Sequence, residues 1–266
     1  MRGFSPRVHA MTLTSTRPRY AARIVRNASD LRAAQALRGL AFGVARGDDG
    51  DRFDACCTHF LIEDQAQERV VCCFRVLPFL NGAGLDRSYS AQFYGLEALR
   101  GFSGTMLELG RFCLHPQAHD PDILRLAWGE LTRHVDRLDV RMLFGCSSFR
   151  GTQADRYRDA FDLLRARHLA PPTLRPRIKA PQVIRYATRP GSPGRQADRR
   201  RGLQQMPPLL RSYLAMGGWV SDHAVVDPQL NTLHVFTGLE IGAIPPARKR
   251  LLRAAAQMLD DASPAR

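Results

Sequence analysis

Lysine is almost absent from this chain of 266 residues: of 39 cationic side chains only Lys179 and Lys249 are lysines, and the rest are arginines. Codon composition produces such a bias as readily as chemistry does, so the bias alone assigns no role to the guanidinium groups. No apolar run approaches the roughly 20 residues of a bilayer-spanning helix, and the N-terminus lacks the apolar stretch of a signal peptide. Cys56, Cys57, Cys72, Cys73, Cys113 and Cys146 do not make C-x-x-C spacing. Neither do His59, His115 and His119 fall at metal-ligand intervals. These absences argue against a membrane span, a disulfide framework and a metal site. The expectation is free thiols in apolar strands of a cytoplasmic protein, without metal or resident cofactor. Neighbouring strand residues point to opposite faces, so at most one cysteine of each adjacent pair is expected in the core.

Acids are scarce too, 25 against the 39 cations, for a net charge of +14. Residues 165–201 hold ten arginines and Lys179 against Asp198 alone, a local charge of +10, together with six prolines. Such a strip attracts an anionic partner, whether nucleic acid, acidic protein or anionic lipid; a solvated linker fits it as well.

Periodicity predicts a strand over 20–26 and a helix over 30–43, capped by Asn27 or Ser29, with an apolar stripe through Leu31, Ala34, Leu37, Leu40 and Ala41. A polar loop follows at 47–54. A hairpin over 57–63 and 69–77 comes next, then an insertion over 80–104 with a short helix near 91–100. A strand at 105–114 precedes a helix over 121–138, marked by Asp120 as N-cap and Pro121 in the first turn. A short strand at 142–146, a helix near 153–167 and a strand-like piece at 182–187 come after it. The chain closes with a helix from 207, two strands joined by D-P-Q-L-N, and a helix near 246–260. That order fits a mixed β-sheet with helices on its faces. The division expected is a loose tail over 1–19, with Met11 as a second possible start, one domain over 20–245 including a Pro/Arg-rich segment at 170–205, and a terminal helix and tail over 246–266.

Within this frame stand F-G-V-A-R-G-D-D-G-D-R-F-D (42–54), C-C-F-R-V-L-P (72–78), L-E-L-G-R-F-C-L-H-P (107–116), G-C-S-S-F-R-G-T (145–152) and P-P-L-L-R-S-Y-L-A-M-G-G-W-V (207–220). Together they resemble the hemolysin-like branch of the acyltransferase superfamily, and within it the N-acyltransferases of ornithine lipid biosynthesis. The resemblance implies a GNAT-like α/β fold related to that of acyl-homoserine-lactone synthases. It also implies transfer of a 3-hydroxyacyl chain from acyl carrier protein to the α-amine of L-ornithine, giving lyso-ornithine lipid. An acyl-homoserine-lactone-synthase-like enzyme with another amine acceptor shares much of the pattern, although Trp128 and Trp219 are the only tryptophans and neither lies in the N-terminal helix-loop region. A basic nucleic-acid-binding module is the alternative of another class. Against it, the aromatics fall in apolar strands rather than alternating with arginine on one surface, and no nucleic-acid partner is expected. The amphiphilic product implies contact at the periphery of the inner membrane.

The resemblance places Glu108, Arg111 and Arg75 at the catalytic centre, and Asp51, Asp54, Phe53, Ser147, Ser148 and Asp227 around the substrates. Charges inside an apolar strand are costly unless paired, and a regular pleat would send residues 108 and 111 to opposite faces. A bulge at Gly110 would bring both to one cleft and free a backbone N–H for the thioester oxyanion; a structural salt-bridge cluster of residues 75, 108 and 111 is the alternative. Glu108 is the candidate base. Asp51 or Asp54 is the candidate partner for the ornithine ammonium, while Asp48 and Asp49 read as an ordinary solvated turn. The turn H-P-Q-A-H-D-P-D (115–122) has no glycine to cradle a pyrophosphate and carries two aspartates. A donor carried by acyl carrier protein, with its phosphopantetheine, fits better than coenzyme A. Arg150, Arg156 and Arg158, with the 165–201 strip, are the candidate docking residues for that acidic carrier. Asp222 and His223 are adjacent on a strand and are expected to point apart, His223 being a satisfied or surface residue, and H-A-V-V-D falls one residue short of an H-x-x-x-x-D motif. Phe42, Phe74, Phe112 and Leu114 are expected to form core or acyl-tunnel wall.

Overall fold

The computed structural model describes residues 18–44, 47, 49–188 and 198–262, with side chains as far as 257. The tail expected over 1–19 lies almost wholly outside the described residues, and so does Asp48. In chain order the elements are β1 (Tyr20–Ile24), α1 (Ala28–Phe42), β2 (Thr58–Asp64), β3 (Arg69–Phe79), β4 (Tyr94–Gly95), β5 (Thr105–Leu114), α2 (Pro121–Arg137) and β6 (Val140–Arg150). They continue with α3 (Arg158–Arg167), β7 (Arg177–Ile178), β8 (Val183–Ile184), α4 (Arg199–Gln205), α5 (Pro208–Ala215), β9 (Trp219–Asp227), β10 (Thr232–Glu240) and α6 (Pro246–Ala262). Local chemistry sets the helix ends. The Asn27 side chain accepts the Asp30 N–H and Gly43, at φ 69°, closes α1 in the left-handed region. Asp120 caps α2, with Pro121 in its first turn.

Eight strands form one sheet in the order β1-β2-β3-β5-β6-β10-β9-β8. Every neighbouring pair is antiparallel except β5 and β6. That parallel ladder runs only from Thr105 to Glu108, which lies opposite Phe144. Beyond it β5 stays with β3 as far as Leu114, while β6 stays with β10 as far as Arg150, so the sheet splits into a V. At the vertex lies Gly145, where a Cβ would run into the Leu109 carbonyl oxygen. Only glycine lets the two backbones come this close before they part.

The sheet is covered on both faces. Residues of α1 pack on Leu61, Cys73 and Cys113. The 80–104 insertion packs on the same face further along, over Met106, Phe144 and Phe236. On the opposite face α2 packs on Phe60, Phe74 and Leu107, and α3 and α5 pack on Phe149 and Val235. Cys72 and Cys73 are consequently both buried, each against a different layer; the expectation of one core cysteine per pair fails because neither face of β3 meets water. Cys56 and Cys57 lie in turns before β2, not in a strand, and all six thiols are free.

Several expected elements change in detail. The insertion contains short 3-10 turns and β4 rather than a helix near 91–100. β6 is longer than expected at both ends, because β10 pairs with it from Met142 to Arg150 and β5 pairs with Val140. Within the basic stretch β7 pairs with β4, and β8 joins the sheet edge beside β9. The described part of that stretch is therefore built into the fold rather than a solvated linker. No described helix is long and apolar enough to cross a membrane.

Gly145→Ala is expected to destabilise the protein by about 1–3 kcal/mol, the usual range for forcing atoms into a packed site, as read by urea denaturation. Unchanged stability would mean that the vertex is loosely packed.

Candidate active site

Across the β3–β5 pair, Cys73 faces Cys113 and Arg75 faces Gly110, so Phe74 alone opposes Arg111 and Phe112. This is a β-bulge, one residue beyond the expected glycine. Arg111 takes it up with φ 50°, a region that side chains other than glycine, asparagine and aspartate rarely adopt. The extra residue breaks the alternation, and Glu108 and Arg111 both line one cavity.

The left-handed arginine is held by charge. Arg111 donates to Asp49 and, at 3.0 Å, to Asp51. Arg75 donates to both Asp51 oxygens at 2.6 and 2.7 Å and also to Asp54. Arg38, only 1% exposed, joins Asp49 at 3.1 Å to Asp54 at 2.8 Å. Three guanidinium groups thus face three carboxylates in a closed, charge-neutral network, which is what makes burial tolerable. Burial pushes the Asp51 carboxyl up, but Arg75 and Arg111 more than offset it and hold the group below the usual range. Asp54 is likewise held well below it by Arg38, Gln35 and Arg75, against burial. Asp49 is therefore not a solvated turn residue: its side chain is 10% exposed and pairs with two arginines. The sequence did carry a trace of Arg38, a charge set among the buried Ala34, Leu37 and Gly39 of α1.

Glu108 stands apart from this network. Its Oε2 accepts the Tyr89 N–H at 2.8 Å, and its Oε1 accepts the Ser90 N–H at 2.7 Å and the Ser90 hydroxyl at 2.6 Å. The alternative, a salt-bridge cluster of residues 75, 108 and 111, accordingly does not form; aspartates serve the arginines and a loop serves the glutamate. Tyr89 and Ser90 had no sequence signal, because they lie in an insertion without periodicity. Burial raises the Glu108 pKa above its ordinary value, against the pull of Ser90, Tyr89 and Arg75.

The cavity, of about 530 Å³, fills the V between β5 and β6. Phe42, Phe112 and Leu114 form part of its wall, while Phe74 is core, stacked on Phe60 at 4.7 Å. Phe53, Ser147, Ser148 and Asp227 also line it. Phe53 meets Tyr89 edge-on at 5.6 Å, and Asp227 uses Oδ1 to hold the β9–β10 turn through the Gln229 and Leu230 N–H groups. Asp51 and Asp54 lie behind the wall, spent on arginines. Glu108 and Asp227 are the acids among the lining residues. Arg150 is exposed and lines the cavity, Arg156 is exposed outside it, and the half-buried Arg158 pairs with Asp155 at 3.1 Å.

Asp222 and His223 do not point apart. Between Ala224 and Val220 three β9 residues oppose Phe236 alone, and this irregularity lets the His223 Nδ1 meet Asp222 at 2.7 Å. His223 is buried, not a surface residue, yet it does not line the cavity. His234, which sequence reasoning passed over, does.

The acetyltransferase (GNAT) domain family model matches residues 38–129, in keeping with the α/β fold. Two curated proteins named L-ornithine N(alpha)-acyltransferase are similar along most of their length. The Rhodobacter capsulatus protein is 32% identical over 241 residues, 85% of this chain and 91% of that one. The Rhizobium meliloti protein is 29% identical over 244 residues, 84% and 80% of the two chains. Among solved structures, FeeM, an N-acyl amino acid synthase from uncultured soil microbes, aligns with TM-score 0.45 at 13% identity, covering 91% of this chain and 98% of that one. The CoA-dependent acyl-homoserine lactone synthase BjaI aligns with TM-score 0.47 at 12% identity, covering 92% and 91%. Likeness at those scores is too remote to carry a function.

Asp54→Asn leaves Arg38 and Arg75 short of one negative charge inside the protein. It is expected to cost about 3–5 kcal/mol of stability at neutral pH. Because the folded-state pKa of Asp54 is depressed, its contribution is full above the ordinary carboxylate value and is lost as pH falls through the folded value. Urea unfolding curves of the two proteins should converge only in strong acid; a gap independent of pH would show that charge is not the cause.

Proposed function

The chain belongs to the L-ornithine N(alpha)-acyltransferase family, and from that premise we propose that the cavity between β5 and β6 joins a 3-hydroxyacyl thioester, carried by acyl carrier protein, to the α-amine of L-ornithine, with lyso-ornithine lipid as product. The observation that carries this reading is the cavity itself: a gap with apolar walls, opened where the sheet splits, with a buried carboxylate at its vertex. A thioester chain needs the walls, and an attacking amine needs the carboxylate.

In this scheme the ornithine α-carboxylate meets Arg111 and its side-chain ammonium meets Asp227. Asp227 takes the part expected of Asp51 or Asp54, because it faces the cavity and they do not. Glu108, directly or through a water, takes a proton from the α-ammonium; its raised pKa makes it a better base than an exposed glutamate. The freed amine attacks the thioester carbonyl, a C–N bond forms, and the carbonyl becomes an oxyanion. Past Glu108 the ladder to β6 has stopped, so a β5 N–H directed into the gap is available to that oxyanion. Collapse breaks the C–S bond. The carrier leaves as thiolate and takes up the proton that the attacking nitrogen releases, Glu108 gives its own proton back to water, and the amide remains.

Transfer is direct rather than through an acyl-cysteine. Burial pushes the lining thiols Cys57 and Cys146 up to about 12, and the third, Cys113, is raised well above its ordinary value by its hydrogen bond with Cys73 and by burial, so none of them supplies thiolate at neutral pH. A protein carrier is favoured over coenzyme A by the start of α2, where Asp120 occupies the helix N-terminus and Asp122 follows it. Arg150 and Arg156 are then the proposed contacts for the acidic carrier, and the enzyme works at the periphery of the membrane that receives its amphiphilic product.

Glu108→Gln is expected to lower kcat by roughly 10²–10⁴-fold. The acid limb of the wild-type kcat/KM profile should lie above the ordinary glutamate value of 4.5 and vanish in the variant. Undiminished turnover would remove Glu108 from the chemistry. Reversing charge at Arg150 and Arg156 to glutamate should raise KM for acyl carrier protein by about 10-fold or more at low salt, with little change for a small pantetheine thioester. An unchanged KM would place carrier docking elsewhere.

A further inference from the structure

His234 is 2% exposed and lines the cavity, and its Nε2 has no hydrogen-bond partner among the described residues. A buried ring nitrogen without a partner is uncommon enough to require an explanation. The other side of the ring is occupied. Tyr94 donates its single hydroxyl proton to the His234 carbonyl oxygen at 2.8 Å, while the same hydroxyl lies 3.2 Å from Nδ1. With that proton committed, the 3.2 Å contact is a hydrogen bond only if Nδ1 donates, so the proton is assigned to Nδ1, which leaves a bare lone pair on Nε2. Tyr94 is not a cavity residue and His234 is, so the ring lies between the tyrosine and the gap, with Nε2 across it from the hydroxyl.

Place and surroundings define what this lone pair accepts. Glu108, Cys146 and His234 lie on the face of the sheet that the insertion covers. The Ser90 hydroxyl that holds Glu108 is 3.5 Å from the Cys146 sulfur. Cys146 is two residues from Ser148, which is His234's partner across the ladder. The imidazole therefore stands beside the vertex, a short step along β6. Phe93 packs edge-on against it at 4.9 Å. Burial pushes its pKa down to about 3, with His223 and Arg111 adding to the effect. A ring of such low basicity is neutral throughout the physiological range and cannot carry away the proton of an ammonium. It can accept a hydrogen bond from a neutral hydroxyl on an apolar chain, and the cationic ends of ornithine are better matched by Glu108 and Asp227.

We propose that His234 Nε2 accepts a hydrogen bond from the hydroxyl at C3 of the acyl chain, so that this imidazole selects hydroxylated donors. The inference rests on the reaction proposed above and adds to it the group that tells a 3-hydroxyacyl chain from a plain one. Tyr94 acts through His234 as a positioning residue that fixes the tautomer. A plain chain leaves the lone pair buried and unmatched, and that is the source of discrimination.

The test compares 3-hydroxymyristoyl and myristoyl thioesters of acyl carrier protein as donors to L-ornithine, with wild type, His234→Phe and His234→Gln. Wild type is expected to prefer the hydroxylated donor by about 10- to 100-fold in kcat/KM. His234→Phe should lose that preference, its kcat/KM falling much further on the hydroxylated donor than on the myristoyl one, and His234→Gln, which restores an acceptor, should regain part of it. A wild type active on both donors without preference, or an equal fall on both donors in His234→Phe, would overturn the role of His234 and leave the acyltransfer reading intact. Wild type inactive with either donor would overturn the acyltransfer reading and the inference with it. Long-range ¹⁵N–¹H spectra of the wild-type protein give a readout independent of turnover and of variant folding: the proton is expected on Nδ1, and a proton on Nε2 sinks the proposal.

Discussion

A charge-neutral knot of three arginines and three aspartates holds the bulge in β5, and the geometry of the site depends on it. Arg111 sits at a backbone angle that its side chain disfavours, and its ion pairs to Asp49 and Asp51 offset that cost. Without the bulge the pleat would carry Glu108 and Arg111 to opposite faces, and the cavity would lose one of the cations that line it. The network explains why so many charged groups lie inside the protein: each carboxylate compensates guanidinium groups that would otherwise be buried alone. Asp49, Asp51 and Asp54 thus act on the cavity indirectly, by shaping the strand that lines it.

The second constraint is the break in the β5–β6 ladder. Four residues of parallel pairing bring the strands together, and Gly145 lets them touch before they part. A sheet that splits in its middle exposes backbone groups and an apolar interior at once, a combination suited to a greasy chain that carries a reactive carbonyl. Glu108 lies at the last paired position, held by the Tyr89–Ser90 loop. Its raised pKa and those of Cys57 and Cys146 have one cause: burial disfavours charge on carboxyl and thiol alike.

Much of the frame could be read from the chain. Asn27 and Asp120 announced their helices, apolar runs marked β2, β3, β5 and β10, and the family motifs pointed to Glu108, Arg75 and Arg111 together. Elements without a local period were misread: the insertion has turns where a helix was expected, and β7 and β8 lie hidden among prolines and arginines. Tyr89 and Ser90 could not be found, because their function is to offer N–H groups, and every residue but proline has one. Asp49 looked like any acid in a polar loop until Arg38 and Arg111 were seen to converge on it.

The sequence by itself determined the alternation of strands and helices, the places where charge interrupts apolar segments, and membership of an acyltransferase family, because these follow from side-chain type and spacing along the chain. Only the tertiary structure decided which aspartates are tied to arginines and which acids face the cavity. It alone shows that Asp222 meets His223 and that the buried His234 Nε2 has no partner among the described residues. Each of these rests on a register shift or on a contact between residues far apart in the chain. A one-residue slip in pairing reverses the direction of a side chain, and nothing local in the sequence records where the slip occurs.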